Sequence, residues 1–406
     1  LRGGRGLKNS GNGKKKKLTV SVRTKKIFTA VLAAAVVILI VMTAAQKLGN
    51  MTVTTFTADV KAYFMSLGSG DGYPYSISAD TVRNIKVNKS NLTLLLDDKT
   101  TVLTSSAKEI MPKSHTFSNP IMKAKGSKMI VCDLDSGKFR VQSGAEILRE
   151  ENHKNNIMAA AIGSKGNYAV AEYGDNAQSV LLVYSKRGKE KFKWNFKDER
   201  VIDIDLSSNG KYAAVAAIKA QNGEMSSKLY VFNINKADEY VACFDYPGTT
   251  LLRVNYVKGN NISALGDNLK SYIKNNSKRQ DDTKFDSDKL YKYCVASNGS
   301  SALVLSKYGS TSLSSLTFFN SSDKERFTVD FDKEAKWVDT DGKYIAVLFD
   351  SEVRTYNKRG KQVGTIYFTG EPQRVTVDSG RTYVLTSVNI KSYKTRGTTD
   401  ERQVSE

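Results

Sequence analysis

The side chains best suited to chemistry are few and scattered. His115 and His153 are the only two histidines. A Ser–His–Asp nucleophile would need one of them, and no Gly-x-Ser-x-Gly elbow is present. Neither histidine belongs to a His-x-x-x-His or Cys-x-x-Cys ligand pattern. Both are therefore read as exposed loop residues, at corresponding ends of the first two units of a repeat described below. Ser105-x-x-Lys108 and Ser321-x-x-Lys324 match a Ser–Lys pattern, but neither has the helical setting that chemistry needs. Asp339-Thr340-Asp341-Gly342 resembles the opening of a calcium loop. Its closing Glu would fall at Asp350, inside a strand-like run, so a hairpin turn is the better reading. Gly68–Gly72 follows a helical pattern and precedes an extended run, which is the wrong order for a phosphate cradle and suits a flexible joint. Cys132, Cys243 and Cys294 each sit in an apolar strand-like run and read as buried free thiols. No catalytic residue, metal ligand or cofactor site is read from these patterns.

The elements that position these residues begin with an anchor. Ile27 to Ala45 carries no charge, Pro or Gly, and a helix of that length spans roughly 28 Å, near the hydrocarbon thickness of a bilayer. Residues 1–26 hold ten Lys and Arg and no acid, which places the N-terminus in the cytoplasm and the remainder outside it. A cleaved signal peptide is the competing reading, with Thr43 and Ala45 small enough for a cleavage site. The long apolar run and long leader favour an uncleaved anchor. After it, Val53, Phe56, Val60, Phe64 and Leu67 recur at helical spacing and predict a short stem.

From residue 80 onward the pattern is all-β. A hairpin signature recurs at Gly126, Gly166, Gly210, Gly259, Gly299, Gly342 and Gly380, with an eighth, glycine-free version at Lys89–Leu94. Each turn leads into a strand that is apolar on both faces, such as Ala213 to Ala217, which must be covered on both sides. Two hairpins per repeat of about 40 residues give a four-stranded unit, and radial stacking of such units is a β-propeller. The count is about eight blades. Seven is the alternative, because residues 259–285 are degenerate. The last unit stops after its third strand, so the extended Tyr73–Ser78 is expected to supply the fourth and close the ring. The expected organisation is a basic cytoplasmic tail (1–26), a transmembrane helix (27–45), a stem and Gly-rich joint (46–72), the propeller (73–396) and a polar tail (397–406).

Gly72-Tyr73-Pro74-Tyr75, Ser118-Asn119-Pro120, Phe192-Lys193-Trp194, the run from Asp203 through Gly210 to Ala216, and Lys228 to Phe232 together carry a family likeness. The chain resembles an uncharacterised family of Gram-positive bacterial proteins, a domain of unknown function with one N-terminal membrane helix and a β-propeller. The likeness runs from the anchor to about Tyr393. It implies this fold and topology, and it brings no activity or catalytic residues.

The expected function is a non-enzymatic binding or scaffold module at the cell surface. An envelope-assembly factor and a quinone-type propeller enzyme are the alternatives, the latter demoted because only Trp194 and Trp337 are available for tryptophan docking. Expected partners are the bilayer, through Ile27 to Ala45, and an anionic envelope polymer or a membrane protein; nucleic acid is not among them. Loops leading into the innermost strands form the rim of one face. Counting back from each turn glycine places Asn119, Asn156, Arg200, Thr250, Lys289, Lys336 and Arg374 there. Four of these seven are cationic and none is acidic, which would favour anionic ligands. The competing reading is a solvated basic exterior, neutralised by Glu199, Asp288, Glu334 and Glu371.

Overall fold

The computed structural model describes residues 69–403, apart from 78–80, 89–90, 144–145, 222, 237–238, 281, 286–288, 308–309 and 369. The expected tail, transmembrane helix and most of the stem lie outside the described residues. Among those described, no helix is long and apolar enough to cross a membrane.

The described strands form eight sheets, antiparallel except for one added edge strand in the seventh. Blade 1 is Val82–Asn88, Asn91–Leu96, Lys99–Leu103 and Glu109–Ser114, and blade 2 is Pro120–Lys125, Lys128–Asp133, Lys138–Ser143 and Glu146–Asn152. Blade 3 is Ile157–Ile162, Tyr168–Glu172, Ser179–Tyr184 and Glu190–Phe196, and blade 4 is Arg200–Leu206, Tyr212–Gln221, Glu224–Asn233 and Tyr240–Tyr246. Blade 5 is Leu251–Tyr256, Ile262–Gly266 and Leu269–Lys274, with its outer strand broken into Lys278–Arg279 and Thr283–Lys284. Blade 6 is Lys289–Val295, Ser301–Lys307, Ser310–Phe319 and Glu325–Phe331, and blade 7 begins with Trp337–Thr340, Tyr344–Leu348, Glu352–Asn357 and Gln362–Tyr367. The degenerate stretch is thus a complete blade, and the count is eight rather than seven.

Blade 8 is Pro372–Asp378, Arg381–Thr386 and Asn389–Lys394, completed at its outer edge by Tyr75–Ser76. Tyr75 pairs with Ile390 and Ser76 with Asn389, antiparallel. The two ends of the propeller are therefore joined in one sheet, as the sequence suggested.

The core is distributed rather than central. Eight apolar clusters lie one at each boundary between neighbouring blades. Strand alternation explains this. Ala213, Val215 and Ala217 face the blade 3 side, while Ala214 and Ala216 face blade 5, and all five are fully buried. The eighth cluster joins Leu92 and Leu94 of blade 1 to Tyr383 and Ile390 of blade 8, which seals the ring.

Three features differ from the sequence reading. The repeat turns are not all two-residue hairpins: those at Gly126 and Gly380 are, but those at Gly166, Gly299 and Gly360 are three-residue loops. Gly166, Gly299 and Gly360 each occupy the last loop position in the left-handed region (φ 85°, 88° and 83°), and each donates its N–H back across the turn at 2.8–2.9 Å. The supposed joint is tied down, with the N–H groups of Gly70 and Gly72 bonded to the Ser106 side chain and carbonyl at 3.1 Å. Finally, Gly397–Asp400, within the expected polar tail, forms a strand parallel to Gln362–Tyr367 and becomes the outer edge of blade 7. Thr355 Oγ1 donates to the Thr395 carbonyl at 2.6 Å and fixes the crossing.

Candidate functional site

The first strand of every blade lines a central channel of about 520 Å³. The strands run in one direction, as side chain to backbone bonds show. Asp203 and Asp205 of blade 4 accept from Val254 N (3.0 Å) and Tyr256 N (2.6 Å) of blade 5. Asp339 and Asp341 of blade 7 accept from Val377 N (2.9 Å) and Ser379 N (3.0 Å) of blade 8. Each pair advances two residues on both strands, so Asp-x-Asp works twice as an inter-blade clamp. The supposed calcium-like loop is one of these clamps.

The cations of the channel are arranged around the clamps. Lys123 Nζ donates to Asp203 Oδ1 at 2.6 Å, and Lys125 Nζ to Asp205 Oδ1 at 2.8 Å and to the Leu206 carbonyl at 2.9 Å. Arg253 Nη1 approaches Asp203 Oδ1 at 3.4 Å. Burial pushes the Lys123 ammonium below its usual range, and Asp203 offsets part of that shift. Asp339 also accepts from Thr376 Oγ1 at 2.6 Å and from Cys294 Sγ at 2.8 Å. Its carboxyl is raised by burial, and these donors and Lys86 counteract the rise.

Six Lys and Arg line the channel (Arg83, Lys86, Lys123, Lys125, Arg253 and Arg374) against four Asp. Arg83, Arg253 and Arg374 sit near the leading ends of their strands, whereas Asp205, Asp341 and Asp378 sit at the trailing ends. The channel is thus electrically polarised, with guanidinium groups at one mouth. Backbone geometry contributes, because Arg83 lies in a β-bulge and Arg253 and Arg374 directly follow one.

All seven rim residues begin, closely precede or closely follow the start of an innermost strand, and of them only Arg374 lines the channel. Asn119, Asn156, Arg200, Lys289 and Lys336 are exposed, and Thr250 and Arg374 are half-buried. Lys336 pairs with Asp350 at 3.2 Å and Glu334 at 3.8 Å. Arg200 stacks on Tyr173, 5.0 Å from its ring centre, and bonds its hydroxyl. Glu199 engages Lys228 (3.3 Å) and Tyr230 (3.1 Å). Thr250 N and Asn119 N are held by Asp267 and Asp133.

Residues 73–395 match the family described as a family of unknown function (DUF5711). The chain belongs to that family. No curated protein matches the sequence. Among solved structures, this DUF5711 propeller is similar to the C-terminal WD40 domain of Sif2, with 10% identity and a TM-score of 0.57 over 80% of this chain and 99% of that one. It is likewise similar to Sqt1 of Saccharomyces cerevisiae, with 12% identity and a TM-score of 0.54 over 80% of this chain and all of that one. At such identities the likeness is one of fold.

The histidines of the DUF5711 propeller are not exposed loop residues. The chain crosses between blades at both, and neighbouring aromatics cover them. His115 stacks on Phe117 at 4.8 Å, and burial lowers its pKa. His153 packs edge-on to Phe139 at 5.1 Å, with Nδ1 2.9 Å from Glu172 and Nε2 3.4 Å from Glu151. The Glu172 bond raises its pKa. The three thiols are free, as expected; Cys132 is buried, and Cys243 and Cys294 are half-buried. Among the described residues, no group of three or more His, Cys, Asp or Glu is arranged to hold a metal. Ser105 and Ser321 both lie in turns.

The sequence reading missed Lys123, Lys125, Asp205, Arg253 and Lys86 as channel residues. The available signal was charge alternating with apolar residues just before a repeat turn, as in Asp203-Ile204-Asp205 and Lys123-Ala124-Lys125.

Proposed function

We propose that this chain is a membrane-anchored binding or scaffold module. Residues 27–45 hold it in the bilayer, and the propeller presents the cationic mouth of its channel, outside the cytoplasm, to an anionic envelope polymer. One observation carries the reading. The carboxylates Asp203, Asp205, Asp339 and Asp341 are engaged by backbone N–H groups of the next blade, which makes them structural, while the guanidinium groups cluster at one end. A rigid ring with fixed charge at its mouth suits recognition of a polyanion, with no reorganisation on binding.

The alternative is a propeller enzyme with a bound quinone-type cofactor. Absorbance and metal analysis of the full-length protein, purified in detergent, separate the two. The scaffold reading expects neither chromophore nor stoichiometric metal, and either one would overturn it. Orientation is tested by protease treatment of intact protoplasts, where the propeller should be digested. Its survival would reverse the topology.

A further inference from the structure

The channel mouth is not uniform. Where blades 7, 8 and 1 meet, Arg374 lies over the ring of Trp337, 5.2 Å from its centre, and its Nη1 donates to the Arg83 carbonyl at 3.0 Å. One guanidinium thus touches three blades, yet the described residues give it no carboxylate within ion-pair range. Arg83 on blade 1 bonds Asp97, a pair that is about half exposed. Lys86, three residues further along the same strand, faces Asp339 and Cys294 without reaching ion-pair distance of any described acid. The oxygens of Asp339 already accept from Cys294, Thr376 and Val377. Two cations on adjoining strands are therefore left without a direct counter-charge, beside a third, on one wall of one cavity.

From this wall, and resting on the polyanion-binding reading above, we infer that Arg374, Arg83 and Lys86 form a subsite for phosphate groups within an extended polyanion, with Trp337 as its floor. The stack on Trp337 holds the Arg374 fork in place. Most of its donors remain available for the paired contacts that a guanidinium makes to phosphate oxygens. Lys86, deeper in the channel, supplies a point charge for the next phosphate along. Asp205, Asp341 and Asp378 lie toward the far end of the channel, so the ligand enters at the arginine mouth.

Trp337 is a built-in reporter, because the chain has only two tryptophans. The test uses full-length protein in detergent carrying Trp194→Phe, titrated with tripolyphosphate and, separately, with inorganic phosphate. Tripolyphosphate should give a saturable change in Trp337 emission as Arg374 shifts on the ring. Free phosphate should require at least about tenfold more, since it meets one cation group at a time. Arg374→Gln and Lys86→Gln should each weaken tripolyphosphate binding about tenfold. Lys86→Arg should retain it. Lys86→Gln breaks no described hydrogen bond but removes a charge beside buried Asp339, so its urea midpoint is measured alongside, and Lys86→Arg, which keeps that charge, is the folding control. No saturable change, or undiminished binding in Lys86→Gln, would overturn the subsite. Equal potency of phosphate and tripolyphosphate would overturn its extended character. If polymer binding persists while Trp337 stays silent, the subsite fails and the broader reading stands.

Discussion

Lys123 of blade 2 donates to Asp203 of blade 4 at 2.6 Å, and the whole of blade 3 stands between them in sequence. The bond is available because the inner strand of blade 3 offers Ala159, Ala160 and Ala161 at this point, with no polar side chain to intercept the lysine. Lys125 repeats the crossing to Asp205 one step along. The pair therefore fastens three blades, while Asp203 also holds Val254 of a fourth.

Removing Asp203 should be costly. Its side chain is 4% exposed, and its loss would strand the Lys123 ammonium and the Val254 N–H. Asp203→Ala should lower unfolding stability by about 3 kcal/mol, with Asp203→Asn milder because it still accepts from Val254. Urea unfolding of both variants measures this, and equal losses would mean that the charge contributes little.

His153 should make stability pH-dependent. Its folded pKa is raised, chiefly by Glu172, with Glu151 adding to the effect. Glu151 is itself held by Arg149 at 3.0 Å and Tyr168 at 3.4 Å. A raised histidine stabilises most where it is charged in both states, below its unfolded value of about 6.5, and loses that contribution as pH climbs through the folded value. His153→Gln should therefore cost more at mildly acidic pH than at alkaline pH. Paired urea midpoints would check the sign, and a cost that grows with pH would contradict it.

The terminal strand on blade 7 rests on a glycine. A Cβ at Gly364 would lie 2.5 Å from the Thr395 carbonyl oxygen and 2.8 Å from that of Gly397. Gly364→Ala should undock Gly397–Asp400 at a cost of about 1–3 kcal/mol. Limited trypsin digestion should then cut early at Arg396, which otherwise bonds the Tyr344 hydroxyl at 3.0 Å. An unchanged digestion pattern would mean that the strand adjusts.

The thiols should react in a fixed order. Burial pushes Cys243 up to about 11 and fully buried Cys132 up to about 12. Thiolate supply and access both favour Cys243, so a disulfide reagent monitored by mass spectrometry should label it well before Cys132. Labelling of Cys132 should track global unfolding; the reverse order would be inconsistent with the burial described.

Much of the architecture could be read from sequence because its signals are local. Turn glycines such as Gly210, and two-faced strands such as Ala213 to Ala217, are forced by backbone conformation and by burial on both sides. The missing fourth strand of the last unit pointed to Tyr75–Ser76. The channel was less legible. Lys123 and Asp203 are 80 residues apart and meet only because the ring brings alternate blades within reach. Asp341 does hold the expected hairpin turn, through Lys343 N and Tyr344 N, but the clamp it forms with Asp339 was not legible, since the N–H groups captured there belong to the next blade. The histidines were misplaced because each is covered by aromatics whose approach the sequence does not show, Phe117 folding back on His115 and Phe139 and Tyr184 reaching His153 from neighbouring strands. Where Arg83, Arg253 and Arg374 point depends on β-bulges at the start of their inner strands, which leave no mark in residue type.

The central claim is that the cationic face of this ring binds polyanions. It is tested most directly by co-sedimentation of full-length protein with an insoluble anionic envelope polymer at low salt, comparing wild type with the triple variant Arg83→Gln, Arg253→Gln, Arg374→Gln, which removes the guanidinium groups of the channel mouth. The account predicts salt-sensitive binding that the triple variant loses with its circular dichroism unchanged. Undiminished binding by the triple variant, or binding that high salt does not weaken, would contradict it.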